Sequence, residues 1–156
     1  MSPDADIIVV GGGLAGAAAA IALARNDFKV IHLAPTAPPD RRTSALMMPS
    51  VNFMREACLI DDPAEFGHPL TAIRIIDATP RLIRAPETVF QAREAGLSAF
   101  GWNFSNAALL TRFQTAAPAN GPEIRNIAVT EYRRAGELGE VTLVDGSTLA
   151  APLVVG

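Results

Sequence analysis

The sequence predicts an α/β fold built on a parallel sheet, and three observations carry that reading. An unbroken apolar run, Ile7-Ile8-Val9-Val10, stops at Gly11-Gly12-Gly13, and an Ala-rich stretch follows directly. A second apolar run closes the segment at Leu33, so residues 6–33 read as strand, helix, strand, the βαβ unit of parallel sheets. Continuous rather than alternating apolar residues suit strands buried on both faces. Composition agrees: 156 residues with 49% apolar and 19% charged side chains can bury a substantial core, which excludes a disordered or fibrous chain.

Each element follows in order. Asp6–Val10 reads as the first strand, Leu14–Asn26 as the helix, and Phe28–Leu33 as the second strand. Pro35–Asp40 carries three prolines and reads as a loop. Ser50 is the expected N-cap of a helix running through Met54 to about Cys58. Thr71–Asp77 and Arg81–Arg84 look like paired strands around an Ala-Thr-Pro turn, and Ser98–Phe104 is a further strand. Asn106 is the expected N-cap of a helix over Ala107–Ala117, stopped by Pro118 and Gly121. Strands are then expected at Ile124–Val129, at Glu140–Val144 and Ser147–Leu149 around an Asp145-Gly146 hairpin turn, and at Pro152–Val155.

Several function classes fall away on composition. The net charge is −3 with charges scattered along the chain, so there is no basic stripe for nucleic acid. Twelve Arg against one Lys (Lys29), with 28 Ala, is the mark of a GC-rich coding sequence rather than of function. No Gly-x-x-x-x-Gly-Lys-Ser/Thr is present, which excludes a P-loop nucleotidase. One cysteine, Cys58, excludes an intramolecular disulfide and a cysteine-cluster metal site and suits a reducing compartment. Ile7–Ala24 lacks polar side chains, but four Gly and seven Ala give it little transfer energy, so it does not read as a membrane span. The acidic start, Met-Ser-Pro-Asp-Ala-Asp, does not read as a signal peptide.

The chemistry-bearing motif is Gly11-x-Gly13-x-x-Gly16, set between strand and helix. Its first glycine permits a tight turn, its second lets backbone approach a pyrophosphate, and its third lets helix and strand pack closely. The N–H groups near Leu14 and Ala15 then face the phosphates of a dinucleotide. An acidic residue is expected at the end of the second strand to hold the ribose, but that place is taken by Ala34. Asp40 lies beyond the proline loop. His32 reads as a core or edge histidine, and His68 has no carboxylate or cysteine at ligand spacing.

Two further segments extend the pattern: Asp40-Arg41-Arg42-Thr43-Ser44-Ala45-Leu46, and Ala99-Phe100-Gly101-Trp102-Asn103-Phe104-Ser105-Asn106 before a helix. With Gly11–Gly16, over nearly the whole chain, these resemble the ubiquinone-biosynthesis hydroxylase branch of the FAD-dependent aromatic monooxygenases, the p-hydroxybenzoate-hydroxylase-like group. The resemblance implies a Rossmann-like FAD-binding domain plus part of an antiparallel substrate-side sheet. It places Arg42 along the flavin's ribityl and phosphate region, Asn106 against the flavin, and Val129 near the adenine through its backbone. The family's ribose glutamate corresponds to Ala34.

The resemblance further implies FAD as cofactor, NAD(P)H as reductant, and O₂-dependent hydroxylation of an aromatic quinone precursor. No catalytic acid, base or nucleophile and no metal ligand is nominated, because the flavin carries that chemistry. A cytoplasmic setting peripheral to the inner membrane, with access to a ubiquinone-biosynthesis complex, is the matching expectation. In the family, a strand like Leu153–Gly156 leads into an Ala-Asp-Gly turn. The expectation is therefore a 1–156 FAD-binding domain cut before that motif, with 70–104 starting the substrate-side sheet and no activity in isolation. Two other readings share the same motif: another FAD-dependent oxidoreductase, and a stand-alone nucleotide-binding module.

Overall fold

The computed structural model describes residues 2–156. The first unit comprises β1 (Ile7–Val10), α1 (Leu14–Arg25) and β2 (Val30–Leu33). The middle of the chain holds β3 (Thr43–Met47), α2 (Met48–Glu56), β4 (Gly67–Pro69), β5 (Ala72–Ile75), β6 (Thr88–Gln91) and β7 (Gly101–Ser105). The remainder holds α3 (Asn106–Ala116), β8 (Glu123–Arg125), β9 (Val129–Ala135), β10 (Leu138–Leu143), β11 (Thr148–Ala151) and β12 (Leu153–Val155).

Four parallel strands in the order β12-β1-β2-β8 form the central sheet. The apolar run of β1 is sandwiched as its composition demands. Ile7 and Val9 pack with Ala20 and Ala24 of α1, while Ile8 meets Val141, Leu149 and Ala151 of the antiparallel sheet β11-β10-β9. The result is three layers, helix on parallel sheet on antiparallel sheet, and this is the α/β class that the βαβ pattern predicts. A separate apolar cluster joins the helices: Ala17 and Ile21 of α1, Val51 and Met54 of α2, and Leu109 and Phe113 of α3 close over Phe104 of β7. Residues 70–104 lie largely outside these layers, in the antiparallel sheets β3-β7-β4 and β5-β6.

Several elements differ from the sequence expectation, each for a local reason. Helix α2 starts at Met48 rather than at a Ser50 cap, because Pro49 fits the first turn, where its missing N–H costs nothing. It ends at Glu56, two residues before Cys58, whose φ of 52° is incompatible with a continuing helix. Helix α3 is capped by Ser105, whose Oγ accepts from the Ala108 N–H, and Asn106 is its first helical residue. Arg81–Arg84 is not a strand; β5 pairs instead with β6, Ala72 opposite Gln91 and Ile75 opposite Thr88. The intervening loop turns on Asp77, whose carboxylate accepts the Thr79 and Ala85 N–H groups. The expected Ile124–Val129 strand divides into β8 and the start of β9. Among the described residues no helix is long and apolar enough to cross a membrane.

Candidate cofactor-binding site

The glycine turn is built from beneath. Gly11 has φ +120°, a conformation that a side chain would strain, and its N–H donates to Leu33 O of β2 at 2.9 Å. Its carbonyl accepts a hydrogen bond from His32 Nε2 at 2.8 Å, which fixes the proton of that 4%-exposed ring on Nε2. A Cβ on Gly16 would overlap the Gly11 carbonyl oxygen, so α1 lies directly on the turn. Helix α1 then begins with Gly13 as a cap without a side chain and has no acidic residue in its first turn. The N–H groups of Leu14 and Ala15 have no acceptor inside the helix, and the helix dipole favours an anion there by about 0.3–1 kcal/mol.

The glycine turn and the first residue of α1 border a cavity of about 840 Å³, within the size range of cofactor sites. Gly12, Gly13 and Leu14 line one end. The loop from Ala34 to Asp40 lines one side, and Asn106, Leu110, Thr111 and Gln114 of α3 line the other. Ile124 and Asn126, at and beyond β8, complete the wall, and Asn126 Oδ1 accepts the Thr36 N–H at 2.6 Å. A Cβ on Gly13 would meet no protein atom within 4 Å, leaving that backbone open to close approach.

The polar centre of the wall is Asp40. Its carboxylate accepts from Arg42 Nε and Nη2, each at 2.9 Å, and from Asn106 Nδ2 at 2.8 Å. The Arg42 hydrogen bonds, followed by that of Asn106, hold the Asp40 carboxyl well below the usual carboxylate range, and Asp40 in turn raises the Arg42 guanidinium above its ordinary value. Asn106 is 7% exposed and its main-chain N–H donates to Arg42 O. Its Oδ1 is buried with no hydrogen-bond partner among the described residues. An acceptor buried without a partner is costly, and this one belongs to a residue that lines the cavity.

Gly13, Leu14, Ala34 and Asn106 therefore line the cavity, and Gly11, Ala15 and Gly16 shape the turn and helix start behind them. Ala34 offers no side-chain acceptor, and its N–H is taken by Arg125 O. Arg42 stands outside the lining, 83% exposed and paired to Asp40. Val129 is not brought to the cavity; it packs with the cluster between the parallel and antiparallel sheets. Sequence reasoning left the cavity roles of Asp40, Thr36 and Asn126 unassigned; for Asp40 the signal was the Asp-x-Arg spacing, which allows the carboxylate to take the N–H two residues on. No cluster of three or more metal-ligating side chains occurs among the described residues.

Residues 6–46 match the family described as "FAD binding domain". No curated protein matches the chain. Among solved structures, the chain is similar to AlpK, with a TM-score of 0.77 and 20% identity over 100% of this chain and 31% of that one. It is also similar to the p-nitrophenol 4-monooxygenase PnpA from Pseudomonas putida DLL-E4, at 0.72 and 19% over 99% and 40%. A flavoprotein/dehydrogenase from Cytophaga hutchinsonii aligns at 0.70 and 17% over 96% and 38%. The chain thus spans between 31% and 40% of the length of these structures, and at such identities the likeness shows the fold.

Proposed function

We propose that this chain is the FAD-binding portion of a flavoprotein monooxygenase that hydroxylates an aromatic ring with NAD(P)H and O₂. The observation that carries the FAD reading is the cavity itself. The glycine turn at Gly12 and Gly13, the helix start at Leu14, and Asn106 line one space, within a chain whose residues 6–46 match an FAD-binding family. Bound there, FAD would supply the redox chemistry. The chain's own part is to hold the diphosphate on the glycine turn and take a hydroxyl at Asn106. The adenosine ribose is left to backbone and to neighbours such as Asn126, since Ala34 lacks a carboxylate.

The similarity to PnpA and the Arg-x-x-Ala-Leu and Phe-Gly-x-Asn segments favour hydroxylation, with a ubiquinone-biosynthesis intermediate as the ring. A substrate of that kind favours a cytoplasmic protein working at the inner-membrane surface. A second reading, an FAD-dependent dehydrogenase, is favoured by the comparable similarity to the Cytophaga flavoprotein/dehydrogenase.

Titration of the purified protein with FAD is the test, read by flavin fluorescence and by the melting temperature. Saturable binding with a rise in melting temperature is expected. Absence of both overturns the FAD reading. In the longer enzyme of which this chain would be a portion, NAD(P)H oxidation coupled to a hydroxylated phenol supports the monooxygenase, whereas oxidation without oxygen insertion supports the dehydrogenase.

A further inference from the structure

Among the described residues no Arg or Lys lines the cavity, and His32 is the one side chain on its wall that can gain a positive charge. The ring is 4% exposed, and its Nε2–H donates to Gly11 O at 2.8 Å. Nδ1 has no hydrogen-bond partner among the described residues. The only unpartnered polar side-chain atom cut off from solvent there is Asn106 Oδ1, so His32 Nδ1 keeps accessible surface. Val9 of β1 and Ile124 of β8 flank His32 in the sheet, and the glycine turn covers Nε2. The open side of the ring is thus the cavity that it lines. An imidazole that gains a proton keeps its Nε2–H and turns Nδ1 from acceptor to donor. The turn is held in both states, and only the cavity meets the difference.

We propose that His32 couples binding at the glycine turn to protonation of its own ring. A diphosphate seated on the turn draws a solvent proton onto Nδ1, and the imidazolium in return strengthens the hold on the anion. The diphosphate rests on the FAD reading. A negative charge close by favours the charged form of an imidazole, which ordinarily titrates near neutrality. The other charges around the ring do not supply that role. β1 has none; Arg25, the only charged residue of α1, donates to Ala116 O, and Arg112, the only one of α3, pairs with Asp61. Glu123 and Arg125 of β8 pair with each other and, by strand alternation, lie on the sheet face opposite His32. In the loop after β2 the one charged side chain is Asp40, which would repel phosphate. Hydrogen bonds from Arg42 and Asn106 hold its carboxyl well below the usual carboxylate range, so it keeps its charge near neutrality.

FAD affinity followed from about pH 6 to about pH 8 tests the coupling, because FAD itself gains or loses no proton in the range of an imidazole. The comparison is wild type against His32→Gln, whose amide can still donate to Gly11 O but takes up no proton. Wild-type affinity should fall about five- to tenfold as pH rises through that range, and the His32→Gln profile should be flat. Calorimetry of wild type in two buffers of different ionisation heat should show proton uptake on binding. FAD binding with a flat profile and no proton uptake overturns the coupling and leaves the FAD reading standing. A His32→Gln profile as steep as wild type overturns it too. If His32→Gln does not fold, wild type alone decides: its two histidines, His32 and His68, give separate imidazole resonances. FAD should move the His32 titration curve to higher pH and leave that of the exposed His68 in place; an unmoved His32 curve overturns the coupling. If wild type takes up no FAD, the FAD reading falls, and inorganic pyrophosphate replaces FAD in the resonance measurement with the same two outcomes.

Discussion

The βαβ unit over residues 6–33 and the hairpin over residues 72–91 draw on the same kinds of residue and end in opposite states. In the first, Ile7, Ile8 and Val9 vanish between α1 and the antiparallel sheet. In the second, Ile75, Val89 and Phe90 remain exposed, and at the tip Leu82 and Ile83 are 101% and 87% exposed. Apolar strands gain stability from the layers laid over them, at about 25 cal/mol per Å² buried, and among the described residues β5-β6 pairs with no other strand and keeps these side chains exposed. A two-stranded ribbon is marginal by itself. The βαβ unit is thus the packed frame, and the hairpin is an appendage held by its own turn chemistry and the Arg74–Glu87 ion pair.

The contrast can be broken most forcefully at Gly16. Gly16→Ala drives a methyl into the Gly11 carbonyl and against His32, and should cost about 3 kcal/mol in chemical denaturation, with FAD uptake lost alongside. A variant of wild-type stability would mean that α1 does not rest on the turn.

Acid sharpens the comparison further. Asp40 is held below its usual pKa by Arg42 and then Asn106; Asp77 is held low by Thr79 and then Ala85, within its own loop. A carboxyl whose folded pKa is depressed contributes stability that is fully present above its unfolded pKa and is lost as pH falls toward the folded value. Unfolding midpoints should therefore hold steady down to about pH 5 and fall below about pH 4. Asp40→Asn should flatten that fall more than Asp77→Asn, because Asp40 joins two distant elements and Asp77 only a loop. Equal flattening would erase the distinction.

The smallest effect belongs to the loop tip. Leu82→Ser with Ile83→Ser should change stability by no more than about 0.5 kcal/mol, since neither side chain is buried. A loss above about 1 kcal/mol, read by thermal melting, would show the tip to be packed.

What could be read in the sequence divides along the same line. Gly11, Gly13 and Gly16 were legible because a turn, a close approach and a helix contact each demand the absence of a side chain within six residues. The strands at Ile7 and Val30 were legible because burial on both faces leaves an unbroken apolar run. The β5 partner was not, because Arg81–Arg84 and Thr88–Gln91 have similar local appeal, and the choice falls to Asp77 folding the loop back on itself. Strand β3 escaped because its alternating exposure is set by pairing with β7, more than fifty positions away. Asn106 was placed as a helix cap, yet the adjacent Ser105 takes that duty, which frees the amide for Asp40.

The pairing of β1 with β12 sets the timing of folding during synthesis. Ile7 lies opposite Leu153, so one flank of the first strand to leave the ribosome has no partner until a strand 146 positions later is made. At about 5–20 residues per second that interval is roughly seven to thirty seconds. Throughout it, an Ile-Ile-Val edge with open N–H and C=O groups is a template for strands of neighbouring chains. The segment that leads into the glycine turn is thus also the one most in need of shelter while the chain is being made.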